Sequence, residues 1–71
     1  MSSETETLAL HLVRALYDAT DGLPHEWLLL EELDAATTDA IVYAITRGWV
    51  VVKAGHSICL TDAGRRLVEA R

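Results

Sequence analysis

Apolar residues recur at helical spacing from Glu4 to Ala19. At about 100° per residue, Leu8, Leu12, Ala15, Leu16 and Ala19 fall on one stripe, with His11, Arg14 and Asp18 opposite. This pattern predicts a first helix with Glu in its opening turn and a stop at Gly22. Leu10, Val13 and Tyr17 widen the apolar arc beyond a single core face. Either a small bundle wraps this helix on two sides, or these three residues form the surface on which a second copy docks, giving a homodimer.

Gly22-Leu23-Pro24 then breaks the chain, and Pro24 suits the first position of a new helix, where its missing N–H has no helical partner anyway. A second helix is expected through His25–Leu33, with Trp27, Leu30 and Leu33 inward and the glutamates solvated. Asp34 or Thr37 supplies the cap of a third helix, which ends near Arg47 at Gly48 and turns Ile41, Ala44 and Ile45 inward. The period changes at Trp49-Val50-Val51-Val52, whose aromatic and β-branched residues suit a strand. Ala54-Gly55-His56 offers a tight reversal, and Ser57-Ile58-Cys59-Leu60 returns as a second strand. Thr61 then caps a final helix with Asp62 in its first turn and Leu67 and Val68 as its apolar contacts. The expected fold class is α+β and mostly α: three helices, a two-stranded β-hairpin and a C-terminal helix.

Seventy-one residues allow one core, so residues 1–71 read as a single domain with a flexible polar start up to about Thr5. Cys59 stands alone and forms no internal disulfide, which leaves stability to apolar packing. The start lacks the basic and apolar regions of a secretory signal, and no apolar run reaches membrane-spanning length; a cytoplasmic protein with no membrane partner is expected. The formal charge of −5 opposes strong phosphate-driven binding of nucleic acid. It is unevenly spread, with nine acids and two bases in residues 1–52 against two acids and four bases in residues 53–71.

The sequence offers little reaction chemistry. His11, His25 and His56 lie on different expected elements, and the odd offset from His56 to Cys59 points their side chains to opposite faces of the hairpin, so no metal site and no cofactor are expected. Glu31, Glu32 and Asp34 read as a solvated face, and neither a phosphate-cradling glycine loop nor a Ser-His-Asp order occurs. A non-enzymatic binding protein is expected. Arg65, Arg66 and Arg71 make the last helix the most basic element; either they contact phosphates, or Arg71 complements the helix dipole and the Arg65-Arg66 pair bridges to the acidic first half.

Two stretches carry a family resemblance. Ile45-Thr46-Arg47-Gly48-Trp49-Val50 looks like the end of a recognition helix entering a wing, and Ile58-Cys59-Leu60-Thr61-Asp62-Ala63-Gly64-Arg65-Arg66-Leu67 looks like the segment that follows one. With the order of elements, the chain from about residue 5 to 71 resembles the winged helix-turn-helix superfamily of bacterial regulators. The resemblance implies DNA binding in transcription regulation, with the third helix in the major groove and the hairpin as the wing. It would bring Thr38, Asp39, Val42, Tyr43, Thr46 and Arg47 near DNA, and Lys53 and His56 to the wing tip. The outward face of that helix on angular reckoning, Asp39, Val42, Tyr43, Thr46 and Arg47, carries one base against one acid, where typical readers are more basic. A winged-helix module that binds another protein through its acidic surface and through Val42 and Tyr43 is therefore the alternative expectation.

Overall fold

A computed structural model of the chain describes residues 3–23, 25–33 and 36–70. Within them the order is α1 (Ser3–Ala19), β1 (Leu28–Leu29), a 3-10 turn (Leu30–Glu32), α2 (Thr38–Thr46), β2 (Val50–Lys53), β3 (Ser57–Leu60) and α3 (Asp62–Glu69). The fold is α+β and mostly helical, with an antiparallel sheet in the order β1-β3-β2. No helix among the described residues is long and apolar enough to cross a membrane.

The first helix forms where its periodicity places it, with Glu4 and Glu6 near the N-terminal end of the dipole. Its buried face is turned by one residue from the expected stripe: Ala9, Leu12, Val13 and Leu16 are enclosed, whereas Leu8 and Ala19 are exposed. The cause is packing on more than one side, since α1 meets α2, α3 and β3. Val13 thus belongs to the core and offers no surface to a second copy. The helix ends as Gly22, at φ +76°, donates its N–H to the Tyr17 carbonyl at 2.8 Å. A Cβ at Gly22 would stand 2.8 Å from the tip of the Tyr17 ring, which would have to swing aside, so it is the left-handed dihedral that calls for glycine there.

The second expected helix is absent. In its place Leu28 and Leu29 pair antiparallel with Ile58 and Ser57, and a single 3-10 turn follows. The physical reason lies in β3, whose far edge would otherwise expose unpaired backbone groups. The Leu30 N–H reaches the His56 carbonyl at 2.9 Å and the His25 N–H reaches the Leu60 carbonyl at 3.0 Å, extending the pairing at both ends. Strand alternation turns Leu28 inward and Trp27 and Leu29 outward, so Trp27 is exposed rather than buried. Pro24 and Asp34, the expected start of that helix and one of the two expected caps of the next, lie outside the described residues.

Thr37 caps α2, its Oγ1 accepting from the Ala40 N–H at 3.3 Å. Helix α2 buries Ala40, Tyr43 and Ala44 against α1, while Ile45, expected inward, is exposed. The helix stops at Gly48 (φ +79°), as expected, and the Trp49 N–H caps the Ala44 carbonyl at 2.9 Å. The hairpin also forms as expected, with Val50↔Leu60 to Lys53↔Ser57 in register around the Ala54-Gly55-His56 turn.

The passage from β3 into α3 is tied down on both sides. Thr61 Oγ1 accepts from the Gly64 N–H at 3.1 Å, capping α3, and donates to the Gly48 carbonyl at 2.7 Å. The Thr61 N–H donates to the Trp49 carbonyl at 3.1 Å. Gly64 sits so close to that same carbonyl that a Cβ would overlap it. The Leu-Thr-Asp-Ala-Gly stretch is thus a clasp joining the end of α2, the start of β2 and the start of α3. The core it closes contains Leu12, Val13, Leu16, Tyr43, Val50, Ile58 and Leu60.

Candidate functional site

Helix α2 and the hairpin that follows it carry most of the candidate binding residues. Along α2, Thr38, Asp39, Val42, Ile45 and Thr46 are exposed, and Arg47 lies at the C-cap. Val42 is more open than Ile45, at 57% against 44%. The hydroxyl of Thr46 donates to the Val42 carbonyl at 2.8 Å, the usual local bond of a helical threonine. The exposed face is short, hydroxyl-bearing and apolar, with one carboxylate, Asp39, near its start and one cation, Arg47, at its end.

Tyr43 does not join this face. Its ring is in the core, tilted against Trp49 with centroids 5.8 Å apart, and its hydroxyl donates to Glu6 Oε2 at 3.0 Å. That hydrogen bond, with burial and the Glu6 charge acting in the same direction, holds the phenol above its ordinary pKa, and Arg47 opposes it. The residue is a strut between α1 and α2. Its place on the outward face is corrected by the burial of the i, i+3, i+4 set Ala40, Tyr43 and Ala44.

Arg47 is held from below. Its Cζ lies 5.7 Å from the Tyr43 ring centroid and 5.9 Å from that of Trp49, so two aromatic rings hold the guanidinium of an exposed residue. Lys53 ends β2 with Nζ 5.9 Å from the Trp27 ring centroid. His56 closes the turn, with Nδ1 3.1 Å from Ser57 Oγ. These two lie at the far end of the hairpin, as expected.

The arginines of α3 divide. Arg65 is half-buried, 3.8 Å from Glu69 on its own helix and close enough to Tyr17 to act on it electrostatically. Arg66 is exposed. Tyr17, half-buried, donates to Glu69 Oε2 at 3.3 Å; burial and that carboxylate raise its pKa, against Arg65 and Arg14. Leu10 lines a cavity of about 180 Å³ between α1 and α3 with His11, Arg14, Leu67 and Val68. Of the three residues set aside for a second copy, Leu10 and Tyr17 therefore stay at the surface and Val13 does not.

The exposed apolar residues Trp27, Leu29, Ile45 and Val51 escaped sequence reasoning as surface features. For Trp27 and Leu29 a strand alternation beginning at Trp27 was the available signal. Comparison with models of known protein families, with curated proteins and with solved structures found no match to this chain.

Proposed function

We propose that this chain is a winged helix-turn-helix domain that binds duplex DNA as a small transcriptional regulator or accessory factor, without catalysis. The observation that carries the reading is the placement of α2. Its exposed face, ending in the ring-held Arg47, runs directly into a hairpin whose far end bears Lys53 and His56. The sheet order β1-β3-β2 and the clasp at Thr61 support the same reading.

In this reading α2 lies in the major groove. Thr38 and Thr46 meet base edges, Val42 packs on a thymine methyl and Arg47 reaches guanine or a phosphate. Lys53 and His56 meet the backbone, Arg66 adds a phosphate contact, and Arg65 stays with Glu69. Each phosphate contact contributes about 0.9 to the slope of log affinity against log salt. With so few cations the slope is shallow and non-specific affinity low, so recognition rests on α2. A homodimer supplies further base contacts, joined through Leu10, Leu67 and Val68.

The test is selection from a random duplex library at low salt, followed by salt titration of the selected site. Val42→Asp should abolish selection, Lys53→Ala should flatten the slope by about one contact, and Tyr43→Phe should leave sequence preference unchanged. If no sequence is enriched and Lys53→Ala and Arg66→Ala leave residual binding and its slope unchanged, the DNA reading fails. The second reading, a protein-binding winged-helix module, is favoured by the apolar Val42 and Ile45 on α2 and by the net charge of −5.

A further inference from the structure

Trp49 stands at the corner between α2 and β2, and its backbone is fixed on both sides. It follows Gly48, whose positive φ of 79° turns the chain back at the end of α2. The Trp49 N–H donates to the Ala44 carbonyl at 2.9 Å, and its own carbonyl accepts from the Thr61 N–H at 3.1 Å. The indole is half-buried and packs against the core, tilted by 49° to the Tyr43 ring with centroids 5.8 Å apart. Tyr43 is buried and tied through its hydroxyl to Glu6. Two rings on anchored residues therefore meet where α2 ends.

Arg47 lies against this pair, its Cζ 5.7 Å from one centroid and 5.9 Å from the other. No carboxylate of the described residues lies within ion-pair distance of it. The rings thus do the holding that an ion pair would otherwise do, and they leave the charge unneutralised. That difference bears on what the guanidinium can recognise. A phosphate accepts a point charge on a flexible stem, so a mobile lysine serves there. A guanine edge accepts two N–H donors in one plane, a geometry that a freely rotating guanidinium meets only part of the time. Restriction by two rings adds little to the first contact and much to the second.

We propose that Trp49 is a positioning residue for base recognition: it restricts the plane of the Arg47 guanidinium, and Arg47 reads a guanine edge rather than a phosphate. The inference rests on the DNA reading of α2 and narrows it to one contact. Trp49 itself touches no nucleotide. Tyr43 supplies the second ring, which Tyr43→Phe retains.

The experiment has two arms. In the free chain, NMR reads the seat directly. The Arg47 Hδ and Hε resonances should be displaced upfield by ring currents, and Nε relaxation should report restricted motion; both signatures should be lost in Trp49→Leu. The ties at Trp49 are main-chain bonds, so this variant keeps them, and Trp49→Met replaces it if circular dichroism shows it unfolded. The second arm takes the duplex selected at low salt and measures affinity for every base pair at each position. Arg47→Lys should lower discrimination at one base pair about tenfold and leave the salt slope unchanged. Trp49→Leu should lower discrimination at that same base pair and at no other, and Trp49→Phe should restore most of it. The double variant Arg47→Lys with Trp49→Leu should lose no more than Arg47→Lys alone, because the two residues act through one contact. A purely structural role for Trp49 would instead lower affinity evenly across the site.

Undisplaced, freely mobile Arg47 resonances in the parent would overturn the proposal whether or not any variant folds. A base profile indifferent to Trp49→Leu, or losses that add in the double variant, would do the same. A parent-like profile in Arg47→Lys would make Arg47 a phosphate contact and end the guanine assignment. If no duplex is enriched, the DNA reading fails and takes this contact with it, whereas an enriched duplex with an indifferent Trp49 sinks this inference alone.

Discussion

Replacing Gly64 by alanine sets two effects of opposite sign against each other. Within a helix, alanine is favoured over glycine by about 0.5–1 kcal/mol, so propensity alone predicts a more stable protein. The surroundings of Gly64 predict the reverse. A Cβ there would overlap the Trp49 carbonyl and stand 2.8 Å from Leu60 Cδ1. Leu60 is fully buried, and the Trp49 carbonyl is held by the Thr61 N–H at 3.1 Å. Thr61 is in turn anchored to the Gly48 carbonyl at 2.7 Å, so relief requires the start of α3 to move as a unit. Overpacking of this kind costs about 1–3 kcal/mol. Set against the propensity gain, the net loss is about 0–2.5 kcal/mol, with a mid-range value near 1 kcal/mol that corresponds to roughly 4–8 °C in Tm for a domain of this size. Urea unfolding followed by circular dichroism measures it. Gly55→Ala is the control: it has a positive φ of 74° and nothing within 4 Å of the new Cβ, so it reports left-handed backbone strain without overlap. A Gly64→Ala midpoint equal to or above that of the parent would refute the close approach and the clasp built on it.

Three further outcomes follow from the burial and bonding of single side chains. Val13→Glu should lower stability by about 3 kcal/mol or more by enclosing an unpaired carboxyl, whereas Leu10→Glu should leave the melting curve nearly unchanged and remove self-association in sedimentation. Tyr43→Phe should cost about 1 kcal/mol for the hydrogen bond to Glu6, read by urea unfolding, with Glu6→Gln reproducing part of it. Absorbance titration should place both tyrosines above pH 10, with Glu6→Gln lowering the Tyr43 midpoint. Because the folded phenols hold their protons longer than the unfolded ones, their contribution to stability is complete below pH 10 and declines as pH rises through the folded midpoints.

The elements legible in the sequence were those marked by local chemistry. Glycine at Gly22 and Gly48, caps at Thr37 and Thr61, and the β-branched run after Trp49 each act within a few residues, and each does what its chemistry predicts. The segment from Pro24 to Leu33 was not legible. Its apolar run is short enough to serve as helix or strand, and what decides is the unpaired edge of β3, some thirty residues away in sequence. The same limit explains Tyr43 and Val13. Angular reckoning gives the relative positions of residues on a helix but not which direction is inward, and that direction depends on how many neighbours the helix has. For α1 the contacts with α2, α3 and β3 enclosed Val13 and released Leu8.

The distribution of cations bears on how a chain of charge −5 could hold an anionic partner at all. Of six Lys and Arg residues, Arg14 is paired with Asp18 at 3.3 Å and Arg65 with Glu69 at 3.8 Å, and Arg71 lies outside the described residues. That leaves Arg47, Lys53 and Arg66. Two of these stand on the α2 and hairpin side, and both rest on aromatic rings, Arg47 on Tyr43 and Trp49, Lys53 on Trp27. A long cationic side chain immobilised on binding loses roughly 0.5–1.5 kcal/mol of rotamer freedom. Where rings already restrict it, part of that loss falls on folding instead. Few charges, held in advance, favour a partner that fits their spacing over any polyanion, which suits a reader of specific sites better than a general phosphate binder.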